Sequence, residues 1–139
     1  CSLVCDGLFF CGRGAYTGQR YEHRKRWIEQ RIAALSECFA VSIHAYAVMR
    51  NHLHIVLQLA PDAGAGWSDE EVAARWVRLF PPRQDSEEAA DAKRRRLIDD
   101  PERLKLVRGR LCDLSRLMRC LAEPIARQAN REDRCKGRF

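Results

Sequence analysis

No stretch of the 139 residues approaches the ~18 consecutive apolar residues of a membrane-spanning helix, so a bilayer-embedded chain is not expected. A secretory leader, with its basic start, apolar run and small-residue cleavage site, is also missing. None of the seven cysteines (Cys1, Cys5, Cys11, Cys38, Cys112, Cys120 and Cys135) forms a C-x-x-C pair, and seven is odd. That argues against a zinc ribbon or a disulfide framework and leaves free thiols in a reducing cytoplasm as the expectation. No internal repeat is present.

What the chain does have is length for one domain with a modest core. Its apolar content of 46% is ordinary, its charged content of 32% is somewhat high, and its net charge of +6 favours a polyanionic partner. The surplus is local. From Arg103 to Phe139 there are 11 basic against 4 acidic residues, so the C-terminal third holds more than the whole net charge.

The stretch Met49-Arg50-Asn51-His52-Leu53-His54-Ile55-Val56-Leu57 is where chemistry is most concentrated. Successive side chains of a strand alternate between faces, so His52 and His54 share one face and Leu53 points to the other. Two imidazoles side by side make half of a divalent-metal site, although a bare pair of this kind is more often structural or incidental. Upstream, Ile43, Ala45, Ala47 and Met49 alternate against His44, Tyr46 and Val48, which predicts a hairpin over Ala40 to Leu59. A two-residue turn would pair Met49 with His52. A three-residue turn, Met49-Arg50-Asn51, instead pairs Val48 with His52, Tyr46 with His54 and His44 with Val56, and the pattern favours it. In that register His44, Tyr46, His52, His54 and Gln58 gather on one face.

Around the hairpin, residues Cys1 to Gly12 read as an edge or terminal strand with a bulge or turn at Gly7. Arg20 to Phe39 has helical spacing, with Trp27, Ile28, Arg31, Ile32 and Leu35 on one side and Arg24, Lys25, Glu29 and Gln30 solvated on the other. Pro61 to Gly66 reads as a linker. Ser68-Asp69-Glu70-Glu71 has the form of a capping box, opening a helix that buries Val72, Trp76, Val77 and Phe80 and stops at Pro81-Pro82. Arg83 to Asp100 reads as an exposed, charged helical insertion. Asp100-Pro101 opens a further helix carrying Leu104, Val107, Leu111, Leu114, Leu117, Met118 and Leu121 inward, which Pro124 must kink or end. Ile125 to Asn130 is expected to add a short turn, and Arg131 to Phe139 reads as a mobile basic tail. The fold class expected is α+β: a single domain over 1–139, with an antiparallel sheet, helices on one face and the histidine pair on a central strand.

The run from Ala45 to Leu57 resembles the strand-turn-strand of the single-tyrosine HUH transposases, the insertion-sequence-200-type enzymes and their REP-associated relatives. That family usually has proline or serine in the turn where this chain has Arg50. The resemblance extends to Cys11-Gly12, Tyr21-Glu22-His23-Arg24 with Trp27-Ile28-Glu29, and Trp67-Ser68-Asp69-Glu70-Glu71-Val72. It continues through Met118-Arg119-Cys120-Leu121, Glu123-Pro124-Ile125-Ala126-Arg127-Gln128-Ala129-Asn130 and Gly137-Arg138-Phe139.

The resemblance implies a ferredoxin-like or RRM-like core, often a homodimer, and a role in DNA transposition. It implies that His52 and His54 hold Mg or Mn, which polarises a scissile phosphate of single-stranded, hairpin-flanked DNA. A tyrosine would then attack and form a 5′-phosphotyrosine that stores the bond energy for rejoining. In the family that tyrosine lies on a helix beyond the Gly-Arg-Phe stretch, near an asparagine or glutamine completing the metal site. Tyr16, Tyr21 and Tyr46 do not match it. The chain also opens on Cys1, so a fragment, a decayed copy or a repurposed binder is expected.

Arg116, Arg119, Arg127, Arg131, Arg134, Lys136 and Arg138 are the expected DNA contacts, because few acids offset them. Lys93-Arg94-Arg95-Arg96 reads as a solvated face balanced by nearby acids. His44 is expected at the edge of the histidine site, His23 in solvent or on phosphate, and Trp27 and Trp76 in the core. Three functions compete: a DNA transposase domain, a DNA- or RNA-binding protein without catalysis, and a metal-binding module with no nucleic-acid role.

Overall fold

The computed structural model describes the backbone of residues 2–6, 18–49 and 52–133, and side-chain surroundings within 23–49 and 52–132. In chain order the elements are β1 (Ser2–Asp6), α1 (Gly18–Ser36), β2 (Val41–Val48), β3 (His52–Leu59), α2 (Pro61–Ala65), α3 (Asp69–Leu79), α4 (Glu87–Ile98), α5 (Pro101–Leu111) and α6 (Leu114–Asp133). The fold is α+β. β3 is the middle strand of a three-stranded sheet in the order β1-β3-β2 and is antiparallel to both neighbours. β1 and β2 therefore run parallel on either side of it, joined through α1.

Alternation on β3 decides which face is covered. Leu53, Ile55 and Leu57 are buried, whereas Val56 is 41% exposed and Gln58 is open to solvent. Burying three aliphatic side chains contributes about 1.5–3 kcal/mol each, so a one-residue slip would forfeit most of that and is strongly disfavoured. Ile28, Ile32 and Leu35 of α1 and Leu117, Leu121 and Ile125 of α6 join these three in one core. The helices thus cover the Leu53 face.

The hairpin register differs from the three-residue expectation. Val48 pairs with Leu53, Ala47 with His54, Tyr46 with Ile55 and Ala45 with Val56, and the Met49 N–H donates to the His52 carbonyl at 2.9 Å. The turn spans two residues. Beyond a bulge between Ile43 and Ala45 the pairing shifts by one, to Ile43 with Leu57, Ser42 with Gln58 and Val41 with Leu59. The extra residue, His44, absorbs the mismatch, so inward and outward residues match on both sides of the bulge.

Some helix expectations hold and others change. Ser68 caps α3 by accepting from the Glu71 N–H at 3.2 Å, and Asp100 caps α5 by accepting from the Arg103 N–H at 3.0 Å, as the sequence predicts. The stretch from Pro101 to Pro124, however, is not one helix. It breaks after Leu111, and Asp113 starts α6 by accepting from the Arg116 N–H at 2.9 Å. α6 then runs through Pro124 to Asp133, so residues 125–133 are helix rather than a turn and a tail. α4 is a docked helix rather than a free insertion: it packs on α3 and α5 and buries Leu97. Pro61–Ala65 is a short helix rather than a linker. Arg24, expected in solvent, is 2% exposed and pairs with Glu132 of α6 at 3.0 Å. Trp27 and Trp76 are half-buried.

Candidate metal and nucleic-acid site

β3 carries both histidines because its aliphatic residues are committed to the other face. His52 and His54 are two apart, half-buried, and their rings meet edge to face with centres 4.9 Å apart. Metal–nitrogen bonds of about 2.1 Å at near-tetrahedral angles put two ligand rings at roughly this separation. The ring separation is thus compatible with two imidazoles serving one divalent ion, and equally with an edge-to-face packing contact. Among the described residues no group of three or more His, Cys, Asp or Glu side chains comes together around it.

The β2 neighbours on this face are small. Ala47 lies opposite His54, and Ala45 lies opposite Val56; both alanines are exposed and neither side chain extends beyond a methyl group. On the other side of β3 the backbone register sets Val4 against His54 and Asp6 against His52. Tyr46 does not face His54 as the three-residue turn predicted. Its partner is Ile55, so it belongs to the Leu53 face, where it lies at the sheet edge and stays 45% exposed. His44 sits at the bulge, exposed. His23, on α1, is exposed and packs edge to face on Trp27 at 4.3 Å.

The expected DNA contacts separate from this face. Arg116, Arg119, Arg127 and Arg131 recur with Glu123 at spacings of three and four along α6, which places them on one side of the helix. Arg119, Arg127 and Arg131 are exposed and Arg116 is half-buried. The only carboxylate in the stripe, Glu123, meets Arg127 at 3.5 Å across exposed surface, a pair worth little. Because α6 packs beneath the Leu53 face, the arginine stripe and the histidines are not brought together. Arg134, Lys136 and Arg138 lie outside the described residues.

Three further arginines hold the frame and were not legible as such. Arg108 donates to the Gly64 carbonyl at 3.0 Å, the Trp67 carbonyl at 2.6 Å and Asp69 at 2.8 Å, tying α2 and the start of α3 to α5. Arg31 donates to the Cys120 carbonyl at 3.0 Å, and Arg24 pairs with Glu132. A proline at position 124 is the one sequence signal that could have revealed a partner for Cys120. The thiols of Cys38, Cys112 and Cys120 are pushed above the ordinary cysteine value by burial, which makes them poor nucleophiles and poor ligands.

Comparison with protein-family models, with curated proteins and with solved structures finds no match to this chain.

Proposed function

We propose that this chain is the metal- and DNA-binding part of a single-tyrosine HUH-type transposase, acting on single-stranded DNA beside a hairpin. The observation that carries the reading is the His52–His54 pair, side by side on the face of a central antiparallel strand that lies opposite the buried Leu53, Ile55 and Leu57. The order β1-β3-β2 with α1 between the parallel outer strands is also the arrangement of half a ferredoxin-like sheet, which agrees with such a core.

In this reading His52 and His54 hold Mg or Mn. The chemistry such an ion supplies when bound is polarisation of a phosphodiester and stabilisation of the charge that develops on it. Ala45 and Ala47 add no side chain longer than a methyl group on the β2 side of the imidazoles. The α6 arginines bind phosphates by charge, which makes association fall steeply with salt. Tyr46 is not the nucleophile, because it belongs to the opposite face.

A second reading, a nucleic-acid binder without catalysis, is favoured by that placement of Tyr46 and by the separation of the arginine stripe from the histidines. One assay separates the two. The complete gene product is incubated with labelled single-stranded hairpin DNA and Mn, then denatured and run on a gel. A metal-dependent covalent protein–DNA adduct is expected. No adduct, with salt-sensitive binding retained, selects the binder; equal affinity for hairpin and mixed-sequence duplex, with no adduct, sinks the transposase reading.

A further inference from the structure

The basic run on α4 does not form one solvated face. Arg94 donates to Glu87 at 3.0 Å and also to Asp91, so its charge is neutralised within the helix. Lys93 and Arg96, three residues apart, turn to another side. There they line a cleft of about 450 Å³ with Trp76 of α3, Gln84 of the α3–α4 connection, and Leu97 and Arg103. Its walls come from α3, α4 and α5, which pack on one another.

The cleft holds three cations and, among the described residues, no carboxylate lines it. The Lys93 ammonium donates to the Phe80 carbonyl at 2.6 Å, which fixes its position. Arg96 and Arg103 are exposed, and their side chains make no ion pair among the described residues. A neighbouring cleft of about 620 Å³ shows the contrast. Its arginines are each matched: Arg75 with Glu71 at 2.6 Å, Arg78 with Glu37, and Arg94 with Glu87. Of these two adjoining clefts the Trp76 cleft is the one that keeps uncompensated positive charge, and its low-dielectric walls strengthen the field there.

We propose that this cleft binds the phosphate backbone of a single-stranded nucleic acid, as a second contact region distinct from the α6 stripe. The proposal rests on the nucleic-acid reading of the chain. Its donors are long side chains from two helices rather than a nest of backbone N–H groups, which suits successive phosphates along a strand better than one enclosed anion. The half-buried Trp76, with the buried Leu97 behind it, gives the sugar-base side of that strand an apolar wall.

The test is a salt series of fluorescence-anisotropy titrations with a labelled single-stranded oligonucleotide. It compares the whole chain, Arg96→Ala/Arg103→Ala, Arg119→Ala/Arg127→Ala, and the control Arg26→Ala/Lys105→Ala, which removes the same charge elsewhere. Losing two phosphate contacts is expected to flatten the slope of log affinity against log salt by about 1.4, or about 0.7 per contact on a single strand. The Arg96 and Arg103 side chains make no ion pair among the described residues, so that variant is expected to keep the wild-type melting temperature. An unchanged slope in Arg96→Ala/Arg103→Ala, with a fall in Arg119→Ala/Arg127→Ala, overturns the cleft and leaves the α6 reading standing. A wild-type chain that binds no oligonucleotide overturns both. An equal fall in the control assigns the effect to bulk charge and overturns the cleft. Competition by inorganic phosphate beyond that of KCl at equal ionic strength marks a single-anion pocket and overturns the strand.

Discussion

Arg31 of α1 donates from Nε to the carbonyl of Cys120 at 3.0 Å. That carbonyl is the acceptor that residue 124 would normally serve, and residue 124 is a proline with no N–H to give. α6 can therefore run through Pro124 with its backbone acceptor satisfied from the neighbouring helix. The same contact fixes the depth at which α1 and α6 meet. Replacing Arg31 with Met should destabilise the fold by about 1–3 kcal/mol, the usual cost of orphaning a partly buried acceptor. In a Pro124→Ala background the helix supplies its own donor, so the same replacement should cost less. Urea denaturation of the four proteins in this cycle measures the difference. Equal costs in the two backgrounds would show that Arg31 acts by packing alone.

Gly64 makes a second prediction because its space is already taken. A Cβ there would lie 2.4 Å from the Cys112 Sγ and 3.2 Å from the Ala40 Cβ. α2 can approach α5 only without a side chain at that point, and Arg108 then reaches the Gly64 carbonyl. Gly64→Ala should lower stability by about 1–3 kcal/mol, the range for overpacking a filled site. Trimming the sulfur with Cys112→Ala should recover a large part of the loss, because the closest clash is with a side-chain atom. Thermal melts of the two single variants and the double variant would show this as positive coupling. Additive losses would place the strain on Ala40 instead.

The strands and caps were legible in the sequence because their signals are local. Ser68 with Glu71 and Asp100 with Pro101 mark helix starts through bonds made within three residues. Leu53, Ile55 and Leu57 mark the buried face through a period of two. The hairpin register was not legible, since the alternation allows either turn length once a bulge at His44 can absorb one residue. That single residue moved Tyr46 from the histidine face to the other. The break at Cys112–Asp113 was missed because the apolar spacing of Leu104 to Leu121 continues across it. Arg24 looked like a solvated charge, and Arg31, on the inward side with Ile32, had no visible partner, because Glu132 and the Cys120 carbonyl lie 108 and 89 residues away. No pattern within α1 reports contacts at that distance. The Lys93–Arg96 run was read by its net balance, whereas the helix sorts it by angle, with Arg94 paired and Lys93 and Arg96 lining a cleft.

The buried thiols set a pH dependence. Burial raises Cys38, Cys112 and Cys120 above the ordinary value of 9.0, so the folded state holds these protons after the unfolded chain has begun to lose them. The unfolded state then binds fewer protons, and stability falls as pH rises. The contribution is complete below the ordinary thiol value and is lost progressively above it, up to the raised folded value. Under reducing conditions the free energy of unfolding should decline between pH 8 and pH 10, as read from urea melts. Cys38→Ala/Cys120→Ala should decline less steeply, whatever cavity cost it carries at pH 8. Parallel curves for the two proteins would assign the decline to other groups.

The histidine pair gives the most direct prediction, because His54 and Tyr46 were expected to share a face and do not. With Ala47 opposite His54, the phenol of Tyr46 has no part in holding an ion at the two imidazoles. His52→Ala and His54→Ala should each weaken Mn binding by more than about 100-fold, since removing a ligand costs at least as much as removing the groups that orient it. Tyr46→Phe should leave the affinity within about twofold by the same reasoning. Isothermal titration or Mn electron paramagnetic resonance on the refolded chain reads all three. The far-ultraviolet circular dichroism of the histidine variants should match the wild type, because neither imidazole belongs to the core. Unchanged affinity in both histidine variants would remove the metal from the face altogether. A loss in Tyr46→Phe equal to that in His54→Ala would instead restore the three-residue turn in solution.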